Sequence, residues 1–294
     1  MAGVREHISY PAFPCLGDIL WSLPPEAALP KRRYNFVAKD ICLRTVICYT
    51  VQYETGGQEN LSEYLERIAG ILGRIEDEEA AALSRGSDAV ADVICRDGLV
   101  HVFGCGHSHL AALDAFYRAG GLACVSPLLD EDLMLHDGAA KSSRMEKTPG
   151  IASEAFRRAK VDPSRDALVV ISASGKNAAP VEMLRTAKAA GVKTVAVSSA
   201  AYKAHGGVLL DEADVAIDCK VPYGDAVIEV GDMKMGGLST YASLFILNSI
   251  LIEGAKRAEA RGVKPPIYTS GNVEGGTDRN IALEERYFGR VKRL

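Results

Sequence analysis

From Leu61 onward the apolar positions Leu61, Leu65, Ile68, Leu72 and Ile75 recur at alternating steps of four and three residues, which predicts an amphipathic helix with one buried stripe. A second helical stretch follows to about Cys95. The rhythm then changes. Leu99-Val100-His101-Val102-Phe103 is a short apolar run ended by glycine, followed by a helical pattern carrying Leu110, Leu113, Phe116 and Tyr117. The same strand, turn and helix order returns at Ala167-Leu168-Val169-Val170-Ile171 before Ser172-Ala173-Ser174-Gly175, with Val181, Met183, Leu184 and Ala187 on the helix that follows. It starts again at Thr194-Val195-Ala196-Val197. Apolar runs at residues 122–125, 215–217 and 227–230 predict further strands, and a long helix is expected from about Ser239 to Ala260. Apolar strands alternating with helices specify a mostly parallel sheet covered on both faces. The expected fold is therefore α/β, a three-layer α/β/α sandwich with a helical N-terminal element packed against it.

Residues 1–58 break this pattern. Five of the twelve prolines fall there (Pro11, Pro14, Pro24, Pro25, Pro30), Lys31-Arg32-Arg33 interrupts, and no helical period persists. The segment reads as an appendage to a domain over residues 59–294, and a β-branched patch at residues 41–51 could add a strand. The break also fits a reading frame extended upstream of a start near position 59. Mass spectrometry of the natural N-terminus distinguishes the two.

Charge and cysteine content narrow the function. The net charge of −4 offers no basic field for nucleic acid or anionic lipid. Seven cysteines occur singly, without a CxxC pair, and read as reduced thiols of a cytoplasmic protein. No apolar run approaches the roughly 20 residues needed to span a bilayer, so no membrane association is expected.

In open parallel sheets ligands bind at the carboxyl ends of the strands, where loops lead into helices. Two such loops have unusual composition. Gly104-Cys105-Gly106-His107-Ser108-His109 has glycine spacing but places His109 where a dinucleotide fingerprint needs a third glycine. Ser108 is the expected N-cap of the next helix, and Gly106, His107 and Ser108 are candidates for contact with a sugar or an anion. Ser172-Ala173-Ser174-Gly175-Lys176-Asn177 offers hydroxyl, amide and backbone donors at the mouth of a helix, the set a phosphate's oxygens require. It lacks the Lys-Ser/Thr pair of a nucleotide-hydrolysing loop. Ser172, Ser174, Gly175 and Asn177 are the expected phosphate contacts.

Strand-Gly-x-Gly-x-Ser at residues 104–108 and strand-Ser-x-Ser-Gly-x-Asn at residues 172–177 together resemble the sugar isomerase (SIS) domain. The resemblance runs over about residues 59–294 toward a phosphoheptose-isomerase-like branch, through Phe116-Tyr117-Arg118-Ala119-Gly120-Gly121, Leu133-Met134-Leu135-His136, Lys141-Ser142-Ser143 and residues 221–229. The closing Asn272-Val273-x-Gly275-Gly276-x-Asp278-x-Asn280 departs from the branch at Thr277 and Arg279, and Asp137 stands where glutamate is expected. The resemblance implies a flavodoxin-like sheet, a second loop that grips the phosphate of a sugar phosphate, and a homodimer or homotetramer.

Aldose–ketose isomerisation moves a proton between C1 and C2 through an enediol and needs a base and an acid near those carbons. Asp130-Glu131-Asp132-Leu133-Met134-Leu135-His136-Asp137 collects four carboxylates and an imidazole after a predicted strand, and converging like charges would raise a carboxylate's pKa. Glu131 and His136 are the expected catalytic pair, with Asp225 and Glu229 behind them. Ser239 and Thr240, at the start of the long helix, could complete the phosphate cradle or simply cap the helix. Cys105, His107 and His109 invite a metal, but a turn into a helix does not bring positions i and i+2 together, so neither metal nor cofactor is expected. An isomerase leads, ahead of a related sugar-phosphate etherase and of a non-catalytic phosphosugar sensor.

Overall fold

Two helices open the part of the chain described by the computed structural model, residues 62–294; the strand expected over residues 41–51 lies outside it. Helix α1 (Ser62–Glu78) buries Ile71 and Ile75, and α2 (Ala80–Cys95) buries Val90, Val93 and Ile94. Of the stripe read from the sequence, Ile75 is buried and Ile68 and Leu72 pack half-buried against the core, whereas Leu65 is exposed and Leu61 lies outside the described residues.

Strands β1 (Val100–Gly104), β2 (Val125–Pro127), β3 (Ala167–Ile171), β4 (Lys193–Ser198) and β5 (Val215–Asp218) form one sheet in the order β2-β1-β3-β4-β5, every neighbouring pair parallel. All residues of β1 and β3 are buried, because a parallel strand between two helical layers has no solvent face. Side-chain alternation divides the core: Val100, Val102, Val169 and Ile171 join α1, α2 and α8 (Ser239–Ala260), while Phe103, Leu168 and Val170 join α5 (Ile151–Ala159) and α6 (Ala178–Ala189). Helix α2 packs along α8 so closely that a Cβ on Gly254 would stand 2.5 Å from Val90 Cγ1. Glycine is required there by the helix spacing.

The remaining elements are α3 (His109–Ala115), α4 (Ala139–Met145), α7 (Leu209–Glu212), α9 (Gly276–Tyr287) and a hairpin of β6 (Ala226–Val230) with β7 (Met233–Gly237). Three expectations need correction. Residues 122–124 do not belong to β2: Leu122 bridges antiparallel to Ile267, and Ala123 N–H donates to the Pro266 carbonyl at 2.7 Å. Helix α3 stops at Ala115, short of Phe116 and Tyr117, where Tyr117 takes a left-handed φ of 46°. The run at residues 227–230 stays out of the main sheet and pairs antiparallel with β7. Half-buried and exposed along its length, β6 lacks the two-sided burial of a parallel strand.

Candidate functional site

The strand order puts a topological switch between β1 and β3, since β2 and β3 lie on opposite sides of β1. Both glycine-bearing loops leave the sheet at that crevice. After β1, Cys105 is extended and residues Gly106–Ser108 make a 3-10 turn, closed by the Ser108 N–H donating to the Cys105 carbonyl at 3.0 Å. Ser108 has helical backbone angles and no side-chain capping bond, so the expected N-cap is absent: the tight turn leads directly into α3. His109 is buried, and its Nδ1–H donates to the Gly106 carbonyl. Burial lowers its pKa, and neighbouring His136 and His107 lower it further. The ring stays neutral. Burial pushes the Cys105 thiol well up, with the Glu146 and Asp130 carboxylates adding to it, so the sulfur carries no thiolate.

The turn that bears His136 (Leu135–Asp137) folds over this loop. Leu135 Cδ2 lies 3.9 Å from where a Gly106 Cβ would stand, and the His136 and His109 ring centroids are 6.1 Å apart. His107 and His136 are both exposed.

The loop after β3 is tied from behind. The Ala173 carbonyl accepts from Ser199 N–H at 3.0 Å and from Ser198 Oγ at 3.3 Å, and the Gly175 carbonyl accepts from Val208 N–H at 3.0 Å. Ser172 is buried, and its Oγ accepts from Gly175 N–H at 3.2 Å. Gly175 has a φ of 59°, and a Cβ there would stand 2.5 Å from Ser198 Oγ, so the turn excludes any side chain. On the open side, the Ser174 hydroxyl and the backbone N–H groups of Ser174, Lys176 and Asn177 have no acceptor among the described residues. Unpaired donors converging at the start of α6 suit an anion.

Asn177 behaves differently from the expectation. Its Nδ2 donates to Glu146 Oε1 at 2.9 Å, and the Glu146 carbonyl accepts from Ala179 N–H at 2.9 Å. Glu146, half-buried at the end of α4, is thereby held against the phosphate-type loop, and its field also reaches Cys105 in the other loop. Sequence reasoning missed it. Glu146 lies in no motif, and only the fold brings it to Asn177, 31 residues away.

The acidic loop does not converge. Asp130 pairs with Arg158, Lys141 takes Asp132 at 3.1 Å and also Asp137, and Glu131 lies 3.9 Å from Arg293 Nη2 with its side chain 72% exposed. The Lys141 ammonium holds the Asp137 carboxyl below its usual range, the reverse of the rise that clustered like charges would give. Glu131 lines a cavity of about 300 Å³ at the end of β2, apart from the paired loops.

At α8, which packs on residues 106–108, Asp225 has taken the capping role: its carboxylate accepts from Leu238 N–H at 2.7 Å, Ser239 N–H at 2.8 Å and Ser239 Oγ at 2.6 Å. Ser239 thus spends its proton on a carboxylate, while Thr240 is half-buried beside it. Glu229 is on the hairpin, 4.0 Å from Lys234. In the closing motif Asn280 clasps Thr269, accepting from its N–H at 2.9 Å and donating to its carbonyl at 2.7 Å. Among the described residues no group of three or more His, Cys, Asp or Glu is arranged to hold a metal.

The SIS domain family model matches residues 63–199. A UPF0309 protein of Thermoanaerobacter pseudethanolicus is 37% identical over 247 residues, covering 80% of this chain and 100% of its own length. A UPF0309 protein of Brucella canis is 39% identical over 242 residues, covering 80% and 99%. Among solved structures, a phosphoheptose isomerase from Neisseria gonorrhoeae is similar at 15% identity and a TM-score of 0.46, over 67% of this chain and 95% of that one. The sugar isomerase domain of an RpiR transcription factor from Sphaerobacter thermophilus is similar at 17% identity and a TM-score of 0.37, over 78% and 99%.

Proposed function

Because the chain belongs to the UPF0309 family and carries a SIS domain, we propose that its β1/β3 crevice binds a sugar phosphate and interconverts its aldose and ketose forms through an enediol. One observation carries this reading: the loop with the open donors of Ser174, Lys176 and Asn177 also holds the Glu146 carboxylate, through the Asn177 amide. An anion seat adjoining a fixed carboxylate is what proton transfer at the carbons of a phosphorylated sugar needs.

In this reading the Ser172 and Ser174 hydroxyls and the N–H groups of Ser174, Lys176 and Asn177 hold the phosphate, Gly175 shapes the turn, and the Asn177 amide keeps the base in place. Gly106, His107 and Ser108 face the sugar. Glu146 takes the C2 proton and returns it to C1. His136, across the crevice, polarises the carbonyl or assists ring opening. Glu131, its expected partner from the sequence, stands by Arg293 at another cavity, and comparing Glu131→Gln with Glu146→Gln decides which carboxylate is the base. Thr240 and Ser239 have the lesser part of supporting residues 106–108 through α8.

The acting unit is residues 59–294, with residues 1–58 an appendage. All cysteines of the described residues are unpaired, in keeping with the reducing cytoplasm. A homodimer or homotetramer is supported by exposed apolar side chains, Val230, Met233 and Met235 on the hairpin, Leu65 on α1 and Tyr241 on α8.

The test is NMR of hexose and heptose phosphates in D2O with the purified protein. Deuterium entering C2 is the expected result. Release of lactate from a lactyl-ether sugar phosphate would make the protein an etherase, and bound but unexchanged sugar would make it a sensor.

A further inference from the structure

At the other end of the sheet a cavity of about 310 Å³ lies between the end of α5, the turn before β3 and the last six residues. Leu99 and Asp166, which immediately precede β1 and β3, form part of its wall. It therefore opens at the amino ends of the strands that carry the crevice at their carboxyl ends. It shares Arg158, Ala159 and Lys292 with the cavity beside Glu131, so the two adjoin at those residues.

The charges in this cavity are unbalanced. Its two carboxylates are consumed internally. Asp166 accepts from Leu99 N–H at 2.8 Å, from Asp162 N–H at 2.9 Å and from His101 Nε2–H at 3.1 Å. Asp162 accepts from Ser164 Oγ at 2.6 Å and pairs with Arg165 Nε at 2.9 Å. Arg158 is matched by Asp130, and Arg290 by Asp97 at 3.1 Å. Lys160 and Lys292 remain. Neither ammonium has a carboxylate within 4.0 Å among the described residues. Lys160 closes α5 with a left-handed φ of 53°, a position that favours glycine and strains other residues by about 1–2 kcal/mol.

We propose that this cavity binds a small phosphate-bearing dianion, with Lys160 and Lys292 supplying the two uncompensated charges and Arg158 a forked donor at the junction of the two cavities. Small-molecule pockets run from roughly 300 to 1,000 Å³, so the space suits inorganic phosphate, pyrophosphate or a small phosphate monoester and is too small for a dinucleotide. Two lysines in a chain of net charge −4 make a local positive field, and such a field acts over about one Debye length, roughly 10 Å at 0.1 M salt. The site needs nothing from the substrate crevice.

Calorimetric titration with inorganic phosphate, pyrophosphate and ribose 5-phosphate at low salt tests this. Binding of at least one of these anions is expected to survive in the Ser172→Ala/Ser174→Ala variant and to weaken about tenfold or more when Lys160→Gln/Lys292→Gln is added to it, as loss of charge-assisted contacts predicts. A Lys234→Gln/Lys264→Gln control in the same background removes equal charge elsewhere and should bind like the Ser172→Ala/Ser174→Ala variant. Which anion binds in the crevice variant separates a free phosphate from a phosphate ester. The proposal fails if no anion saturates that variant, if adding Lys160→Gln/Lys292→Gln to it leaves binding unchanged, or if the control in the same background loses as much. Lys292→Gln alone serves if the double variant melts early. Because Lys160→Gln/Lys292→Gln leaves the crevice intact, its C2 exchange should equal the wild-type rate, so this proposal and the isomerase reading can fail separately.

Discussion

The two glycine turns at the switch point look alike in sequence, and they differ in which hydrogen-bonding groups they leave open. The turn after β1 closes partly on itself, with Ser108 N–H going to the Cys105 carbonyl and His109 Nδ1–H to the Gly106 carbonyl, while the Gly106 and His107 N–H groups have no acceptor among the described residues. The turn after β3 is satisfied only from behind, by Ser198, Ser199 and Val208, and its donors on the other side are free among the described residues. The contrast teaches that glycine content does not identify an anion loop. What counts is how many open donors meet at a helix start, three N–H groups and a hydroxyl before α6, because these have hydrogen-bonding capacity left for a ligand.

The sharpest way to break this division of roles is at the carboxylate. Glu146→Gln keeps an oxygen to accept from Asn177 but cannot take a proton, so kcat for C2 exchange should fall by about 10²–10⁴ with KM little changed. Glu131→Gln should exchange near the wild-type rate. The opposite pattern in steady-state kinetics would return the base to the acidic loop.

Next in size is the anion seat. Removing the two hydroxyls in Ser172→Ala/Ser174→Ala should weaken sugar-phosphate binding by about ten- to a hundredfold, at roughly 1.5–3 kcal/mol for a hydrogen bond to a charged group. Ser108→Ala in the other turn should cost far less. Equal losses from both turns, measured by calorimetry, would erase the distinction between them.

Stability offers a third comparison. Gly175→Ala must accept a left-handed φ of 59° and an overlap with Ser198 Oγ, whereas Gly106→Ala, at φ 55°, meets only Leu135 Cδ2 at 3.9 Å. Left-handed strain alone costs about 1–2 kcal/mol, worth roughly 2–4 °C in melting temperature per kcal/mol for a chain of this size. Gly175→Ala should melt lower than Gly106→Ala by a few degrees more, and identical melting curves would contradict the close approach.

The smallest effect is in pH. Burial depresses the His109 pKa, so the folded state resists protonation more than the unfolded chain, whose histidines titrate near 6.5. Its contribution is present above about pH 6.5 and declines as pH falls from there toward the lower folded value. Urea midpoints of the wild type should drop between pH 7.5 and 5.5 by more than those of His109→Gln. A parallel pair of curves would remove His109 from the account.

Much of this molecule was legible in advance. The run over residues 167–171 is β3 to the residue, and the long helix expected from Ser239 to Ala260 is α8, since burial on two faces and a sustained helical period leave few alternatives. Residues 227–230 were misplaced because a short apolar run states strand propensity but not a partner; Asp225, turned at φ 68° to cap α8, leads into a separate hairpin. At the site, the loops at residues 104–109 and 172–177 were visible because their composition is local.

By itself the sequence determined what is written in neighbouring residues: the helical stripes, the buried strands and the donor-rich turn of Ser172, Ser174 and Gly175. Only the tertiary structure decided which side chains meet. It joined the Asn177 amide to Glu146, distributed the acidic loop among Arg158, Lys141 and Arg293, and left Lys160 and Lys292 on one cavity with no carboxylate within 4.0 Å of either ammonium among the described residues. The reason is physical. Secondary structure follows from periods of two and 3.6 residues along one segment, whereas a charge or a hydrogen bond is set by whichever group the fold brings within about 3–4 Å, at any distance along the chain.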